Sequence, residues 1–299
     1  MSAAGGSTAG FVALAGRPNV GKSTLVNAIV GEKVAIVSDK PQTTRRAIRG
    51  VAVRGDAQLV LVDLPGVQRP LDALTQRMQS RVEREFGDAD VALLMLNGEQ
   101  GVGPGDRFIA GALSRAQVPV VIAVNKVDRI DTPHTLAMLQ AAADLQVCEE
   151  IFPVSARRGT GVQALVEHLV SLLPEGPFMF GSEEASDQPE SVMLAELIRE
   201  QVLRRTFQEV PHAVEVVVED IDATTREDLV RVTALAWVEA ESQKGILIGA
   251  QGRMIKAIGT AARRELERHM DCKVHLDLSV RVRRGWRADD GLLDRLGIE

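Results

Sequence analysis

Cysteine is nearly absent: the 299 residues hold two, Cys148 and Cys272, far apart and in no metal-binding spacing. That excludes a disulfide framework and points to two buried thiols in a reducing compartment. No run of 18 apolar residues occurs, and no charged-then-apolar segment opens the chain. Neither a membrane-spanning helix nor a secretory signal is therefore expected, and a cytoplasmic protein is. No cysteine near either end offers a lipidation site, which argues against a lipid-anchored signalling protein. An excess of positive charge is missing as well: 35 Lys+Arg face 41 Asp+Glu, net −6. The molecule as a whole therefore does not advertise nucleic-acid binding. What is present is ordinary for a globular chain with a sizeable core, at 45% hydrophobic and 25% charged residues. The length suggests about two domains. Residues 1–9 are small and polar and read as a flexible tail.

The most informative stretch is Gly16-Arg17-Pro18-Asn19-Val20-Gly21-Lys22-Ser23. It is a glycine, four variable residues, then Gly-Lys-Ser, set between the apolar run Phe11–Leu14 and a helix-like segment starting at Thr24. Such a loop points backbone N–H groups and a helix N-terminus at one anion. Lys22 can reach the β- and γ-phosphates and Ser23 can hold Mg²⁺. Asp63-Leu64-Pro65-Gly66 follows the apolar run 59–62. There Asp63 can hold Mg²⁺ through water and the Gly66 N–H can sense the γ-phosphate. Asn125-Lys126-Val127-Asp128 ends the apolar run 118–124. The Asp128 carboxylate can accept both N1–H and N2–H₂ of guanine, which adenine lacks, so adenine would leave it buried and unpaired. Asn125 can bond the base or tie loops together, and the Lys126 stem can cover one face of the base. Ser155-Ala156-Arg157, after the run 151–154, can bring backbone N–H groups to the guanine oxygen. Each piece alone has a bland reading as a turn. All four in this order imply a GTP-hydrolysing protein.

Residues 10–174 alternate strand-like stretches (11–15, 50–54, 58–62, 90–96, 119–124, 151–154) with helix-like ones (22–30, 71–86, 105–115, 133–145, 162–172). Continuous apolar strands between amphipathic helices predict an α/β, doubly wound, mostly parallel sheet with the motifs at the carboxyl ends of strands. Residues 175–190 are polar, acidic and rich in Pro and Gly, and read as a linker. From 191 the pattern changes: helix 191–208, strands 212–220 and 228–239, helix 253–270 interrupted at Gly259, and strand 274–282. That α–β–β–α–β order predicts a smaller α+β domain over 191–287, with 288–299 a C-terminal tail. The window 244–287 holds 11 basic and 4 acidic residues, net +7, inside an acidic protein. A local basic face suits a polyanion, although Arg263, Arg264, Glu265, Glu267 and Arg268 could simply pair along a helix. Gly249-Ala250-Gln251-Gly252, between apolar Ile246–Ile248 (read as a strand end) and the helix 253–270, lets a backbone approach sugar-phosphate closely. It is the clamp pattern of KH domains, which hold about four nucleotides of a single strand. Lys244, Arg253 and Lys256 surround it.

A GTPase domain, a short linker and a KH domain of the type with its extra helix first resemble the Era family of bacterial ribosome-assembly GTPases, from about Gly10 to about Arg287. Pro41-Gln42-Thr43-Thr44-Arg45 resembles that family's first switch segment. By that match Thr44, or else its neighbour Thr43, binds Mg²⁺ and closes over the γ-phosphate. The resemblance implies binding of the 3′ end of small-subunit ribosomal RNA, assistance to maturation of that subunit, a monomer, and partial peripheral attachment at the inner face of the cell membrane. Two departures matter. The clamp carries no basic residue between its glycines, so Arg253 or Lys256 would take the phosphate contact. The position after Asp-x-x-Gly, where Ras-like proteins use a Gln to orient water, is Val67, as in the family, with Gln68 one residue on. Slow intrinsic hydrolysis follows, with a partner or a cation completing the site. Similar GTPases use potassium held by an Asn at the position of Asn19. The competing readings are a GTP-gated protein-interaction module and a membrane-recruited signalling GTPase.

Overall fold

The structure, a computed structural model, describes residues 6–67, 71–148, 150–226 and 229–298, the side chains of 224–226 apart. Six strands form the first sheet: β1 (Thr8–Ala15), β2 (Ile48–Arg54), β3 (Ala57–Asp63), β4 (Val91–Asn97), β5 (Val120–Asn125) and β6 (Ile151–Val154). Their order is β2-β3-β1-β4-β5-β6, parallel except for the β2–β3 hairpin. Every residue of β3 and β4 is buried, which explains runs such as Val91–Leu96 that are apolar at every position: both faces are covered. The covering helices are α1 (Lys22–Val30), α2 (Ala73–Asp88), α3 (Pro104–Ala116), α4 (Thr132–Ala143) and α5 (Val162–Ser171). Asp72 and Asp131 cap α2 and α4, accepting from Thr75 N–H and His134 N–H at 2.9 Å each.

The second unit contains α6 (Glu190–Arg205), α7 (Val210–Ala213), β7 (Glu215–Arg226), β8 (Leu229–Val238), α8 (Glu241–Ile248), α9 (Arg253–Met270), β9 (Lys273–Val282) and α10 (Asp290–Arg295). β8 lies between antiparallel β7 and parallel β9, and α6 and α9 supply the apolar layer beneath.

Several expectations are corrected. Ile246–Ile248 ends a helix, not a strand, so the order is α–β–β–α–α–β once the single turn α7 is set aside. Gly259 does not interrupt α9. β1 begins at Thr8, inside the expected tail 1–9. The expected tail 288–299 instead carries α10. Leu292, Leu293, Leu296 and Ile298 there bury against Leu74 and Met78 of α2 and Trp286. The 175–190 connection is strapped to the edge of the first sheet. Val51 N–H donates to Ala185 C=O at 2.8 Å, and Gln58 bonds Met179 and Phe180. Cys148 and Cys272 are half-buried rather than buried.

Helix α6 is buried between the two units. Met193 to Leu203 are buried without a break, including Glu196, Arg199, Glu200 and Gln201. A helix buried all round is packed on all sides. One face meets the second sheet, and the other meets the segment joining α1 to β2, whose Ile36 joins the second unit's core.

Candidate active site and nucleic-acid interface

The phosphate loop leaves β1 with two glycines in conformations a side chain would resist. Gly21 has φ +104°, and a Cβ there would collide with the Asn125 amide. Lys22 is buried and its Nζ rests on Gly16 C=O at 3.1 Å and Arg17 C=O at 3.3 Å. Burial lowers its pKa to about 8, with Asp63 pulling the other way. Ser23, Thr44 and Asp63 converge. Ser23 Oγ donates to Asp63 Oδ2 at 2.6 Å, Thr44 Oγ1 donates to the same atom at 3.3 Å, and the two hydroxyls are 3.1 Å apart. Thr43 Oγ1 instead donates to Lys40 C=O at 2.6 Å, so the geometry picks Thr44 from the pair. Asp63 Oδ1 is buried without a hydrogen-bond partner among the described residues. Burial raises the Asp63 pKa, while Lys22, Ser23 and Thr44 draw it down. An orphaned carboxylate oxygen beside two hydroxyls is the donor set of a hard divalent cation, so Mg²⁺ fits.

Gly66 presses on the loop: a Cβ there would stand 2.7 Å from Pro18 N. Val67 N–H donates to Gly16 C=O at 3.2 Å and its side chain is buried in the core. Gln68 lies outside the described residues. Arg17 points away from the cleft, its Nε 2.9 Å from Asp106 on α3 and its Nη2 donating to Gly101 C=O. Asn19 has a left-handed backbone, φ 63°, and its amide donates to Asp39 C=O at 2.6 Å.

At the base end Asn125 ties loops rather than waiting for a ligand. Its Nδ2 donates to Val20 C=O at 2.8 Å and its Oδ1 accepts Ala156 N–H at 3.0 Å. Ser155 N–H donates to Thr160 C=O. Two of the three N–H groups expected to face the guanine oxygen are thus engaged, which leaves Arg157. Asp128 Oδ1 accepts from Ser155 Oγ at 2.7 Å, and that bond first of all keeps its pKa low and the carboxylate charged. Lys126 Nζ bonds Asn19 C=O at 2.9 Å, bringing its stem over the cleft between Asp128 and Thr24.

Sequence reasoning missed the anchor after Thr44. The Arg45 guanidinium is buried in the second unit, donating to Glu215 Oε2 and Val214 C=O at 2.6 Å each and to His212 C=O at 2.9 Å. Arg46 pairs with Glu196 at 2.8 Å and bonds Leu296 C=O. Arg199 pairs with Glu196 at 2.6 Å and bonds Thr43 C=O. Burial alone would raise the Glu215 pKa, but Arg46, Arg45 and Arg199 draw it down to about 2. Burial lowers the Arg45 pKa to about 10 against the pull of Glu215. No sequence periodicity carries this network; only the charges set among the apolar residues of α6 hinted at it.

In the second unit Gly249 and Gly252 have φ +69° and +73°, and a Cβ at Gly249 would stand 2.7 Å from Met254 Cβ. Ala250 and Gln251 form the exposed tip. Arg253 and Lys256 are exposed on α9, and Lys244 lies on α8 one turn before the loop. Beyond the clamp an open groove of about 360 Å³ runs between α9 and β9, lined by Ile255, Lys256, Gly259, Arg263, His275 and Leu278 among others. The i, i+3, i+4 spacing of 256, 259, 260 and 263 was the available signal for it. Part of the charge does pair along the helix, as Arg268 with Glu265 at 2.6 Å.

The chain matches a family model described as 50S ribosome-binding GTPase over residues 11–126 and a KH-domain model over residues 209–287. It is 44% identical over 289 residues to the GTPase Era of Caldanaerobacter subterraneus, covering 97% of each chain. It is 43% identical over 293 residues to the GTPase Era of Mycobacterium bovis, covering 96% of this chain and 98% of that one. Among solved structures it is similar to Era in complex with MgGDPNP and nucleotides 1506–1542 of 16S ribosomal RNA. That match has a TM-score of 0.94 and 32% identity, and covers 98% and 99% of the two chains. An Aquifex aeolicus Era variant bound to GDP and AlF4⁻ gives the same TM-score and identity over 97% and 99%.

Proposed function

The chain belongs to the Era family of GTPases, and on that premise we propose that it uses GTP hydrolysis to time the binding of small-subunit ribosomal RNA near its 3′ end, assisting maturation of that subunit. One observation carries the switch: Thr44 stands at the phosphate site beside Ser23 and Asp63, and the next residue, Arg45, is locked into the second unit. A change at the nucleotide cannot move Thr44 far without pulling on that anchor.

In this reading residues 10–174 form the GTPase unit, 175–190 the connection and 191–287 the RNA-binding unit. Residues 16–24, 63–66, 125, 126, 128 and 155–157 enclose the nucleotide. The loop N–H groups and Lys22 neutralise the phosphates. Asp128 selects guanine, and Gly66 N–H senses the γ-phosphate. Ser23, Thr44 and Asp63 would hold Mg²⁺, which supplies positive charge to the phosphate oxygens when bound. Positioning and charge do most of the work in phosphoryl transfer. Val67 offers no hydrogen bond to water, so turnover is slow. Asn19 would hold potassium: with its amide turned, Oδ1 and the Asp39 carbonyl are two oxygens side by side. Hydrolysis measured in equal potassium and sodium chloride should be faster in potassium. An equal rate in both salts removes that part of the proposal.

RNA is assigned to the clamp at Gly249 and Gly252, with Ala250, Gln251, Lys244, Arg253 and Lys256, and to the groove beyond. Monomeric behaviour and contact of the exposed Arg263, Arg264 and Arg268 face with an acidic membrane surface belong to the same proposal. No described helix is long and apolar enough to cross a membrane. An RNA titration of wild type and of Gly249→Asp/Gly252→Asp, each with GDP and with a non-hydrolysable GTP analogue, is the test. RNA affinity should collapse in the double variant while GTP hydrolysis persists. In wild type it should differ between nucleotides by a few-fold to about a hundredfold. Unchanged RNA affinity in the variant refutes the clamp, and equal wild-type affinity in both nucleotide states refutes the switch.

A further inference from the structure

We propose that Arg204, a residue of the second unit, is part of the guanine-nucleotide site and holds the ribose of the bound nucleotide; this rests on the reading of the cleft given above. The cavity at the base end, about 450 Å³, is lined by Thr24, Val37, Lys126, Asp128, Ala156 and Arg204 among others. Asp128 and Ala156 mark its base end, and Thr24, next to Ser23, marks its phosphate end. A nucleotide joins base to phosphate through its sugar. The wall that neither motif supplies therefore faces the ribose. Val37 and Arg204 enter that wall together, because both are fixed by one buried carboxylate. Glu200 Oε1 accepts Val37 N–H at 3.0 Å and pairs with Arg204 Nη2 at 3.2 Å.

The placement is not explained by neutralising Glu200. That carboxylate is already bonded by Lys33 Nζ at 2.7 Å and by Val37 N–H. Arg204 is half-exposed while Glu200 is buried, so the buried charge already has a cation and a backbone donor without it. What the pair does provide is orientation. A guanidinium carries five N–H donors in a rigid fork. Fixing one on Glu200 aims others at the cavity and reduces the ordering cost when hydroxyl acceptors arrive. The second unit would then touch the nucleotide directly, not only through the Thr44–Arg45 segment.

The experiment measures GDP and 2′,3′-dideoxy-GDP binding by calorimetry, using the full chain as wild type and as Arg204→Ala. Arg204→Ala should weaken GDP about ten- to a hundredfold, the range for losing hydrogen bonds from a charged donor. Dideoxy-GDP should bind wild type about as weakly, and its affinity should change less than about twofold in the variant. Equal losses for both ligands would mean that Arg204 acts through charge or through docking of the two units, which overturns the inference. So does GDP binding that is indifferent to the variant. A wild type that does not prefer guanine over adenine nucleotides would instead overturn the reading of the cleft itself, and this inference with it.

Discussion

In the proposed function, nucleotide choice turns on Asp128. Its carboxylate is charged and held by Ser155, and that proposal has it accept two N–H groups of guanine. Asp128→Asn should reduce GTP affinity and favour xanthosine triphosphate, whose base carries a carbonyl where guanine has N2–H₂. Competition binding against the natural triphosphates measures this, and equal affinity of wild type for ATP contradicts the assignment. Val67 is the opposite case. Its side chain packs in the core and is an isopropyl group with no hydrogen-bonding atom, so Val67→Ala should leave turnover within about tenfold, roughly 1.4 kcal/mol. A single-turnover assay that finds a much larger loss at intact nucleotide affinity would place Val67 in the chemistry. Among the site residues, Lys22, Ser23, Asp63 and Asp128 were legible in the sequence because the spacing of their motifs marks them, although Ser23 meets Asp63 and Asp128 meets Ser155 only in the fold. Arg17 and Ala156 were less so, because Asp106 and Asn125, far away in sequence, claim their polar groups.

At the scale of elements, legibility followed burial. Strands such as β4, covered on both faces, announced themselves as apolar runs. Ile246-Leu247-Ile248 did not, since three apolar residues fit a helix end as well as a strand end, and α8 was misread. Gly259 was expected to break α9, but one glycine costs a helix only about 1 kcal/mol relative to alanine. The other 17 positions of an 18-residue helix outweigh it. Gly259 also opens onto the groove, and among the described residues nothing lies within 4 Å of a Cβ built there. Gly259→Ala should therefore stabilise the protein by about 0.5–1 kcal/mol, read by denaturant unfolding. Gly259→Phe should fill the groove and weaken RNA binding at least tenfold in a filter or fluorescence titration. If Gly259→Phe binds RNA like wild type, the bases do not run through this groove.

At the scale of the whole molecule, the seam between the two units carries buried charge beside its apolar packing. Arg45, Arg46, Arg199, Glu196 and Glu215 meet in the seam between the two sheets. Periodicity reaches only the Arg199–Glu196 pair within α6; Arg45 and Glu215 lie 170 positions apart in sequence, and Arg46 and Glu196 lie 150 apart. Removing one member of a buried pair costs about 3–5 kcal/mol, so Glu215→Ala should unfold or undock the chain. The sign of its pH dependence is set by the depressed Glu215 pKa. Its stabilisation is complete above about pH 4.5 and is lost as pH falls toward about 2. Acid titration of wild type followed by circular dichroism should show a transition in that window. Glu215→Gln should flatten it and lower stability at neutral pH. The same seam makes the molecule its own optical instrument. The chain has two tryptophans and no tyrosine. Trp286 is wholly buried against α2 and α10, its indole N–H donates to Ala213 C=O at 3.0 Å, and the Arg45 guanidinium stands 5.4 Å from its ring. In a Trp237→Phe background, emission excited in the near ultraviolet comes from Trp286 alone. Any event that parts the seam, whether acid, nucleotide or RNA, should shift that single colour to the red without a label being attached.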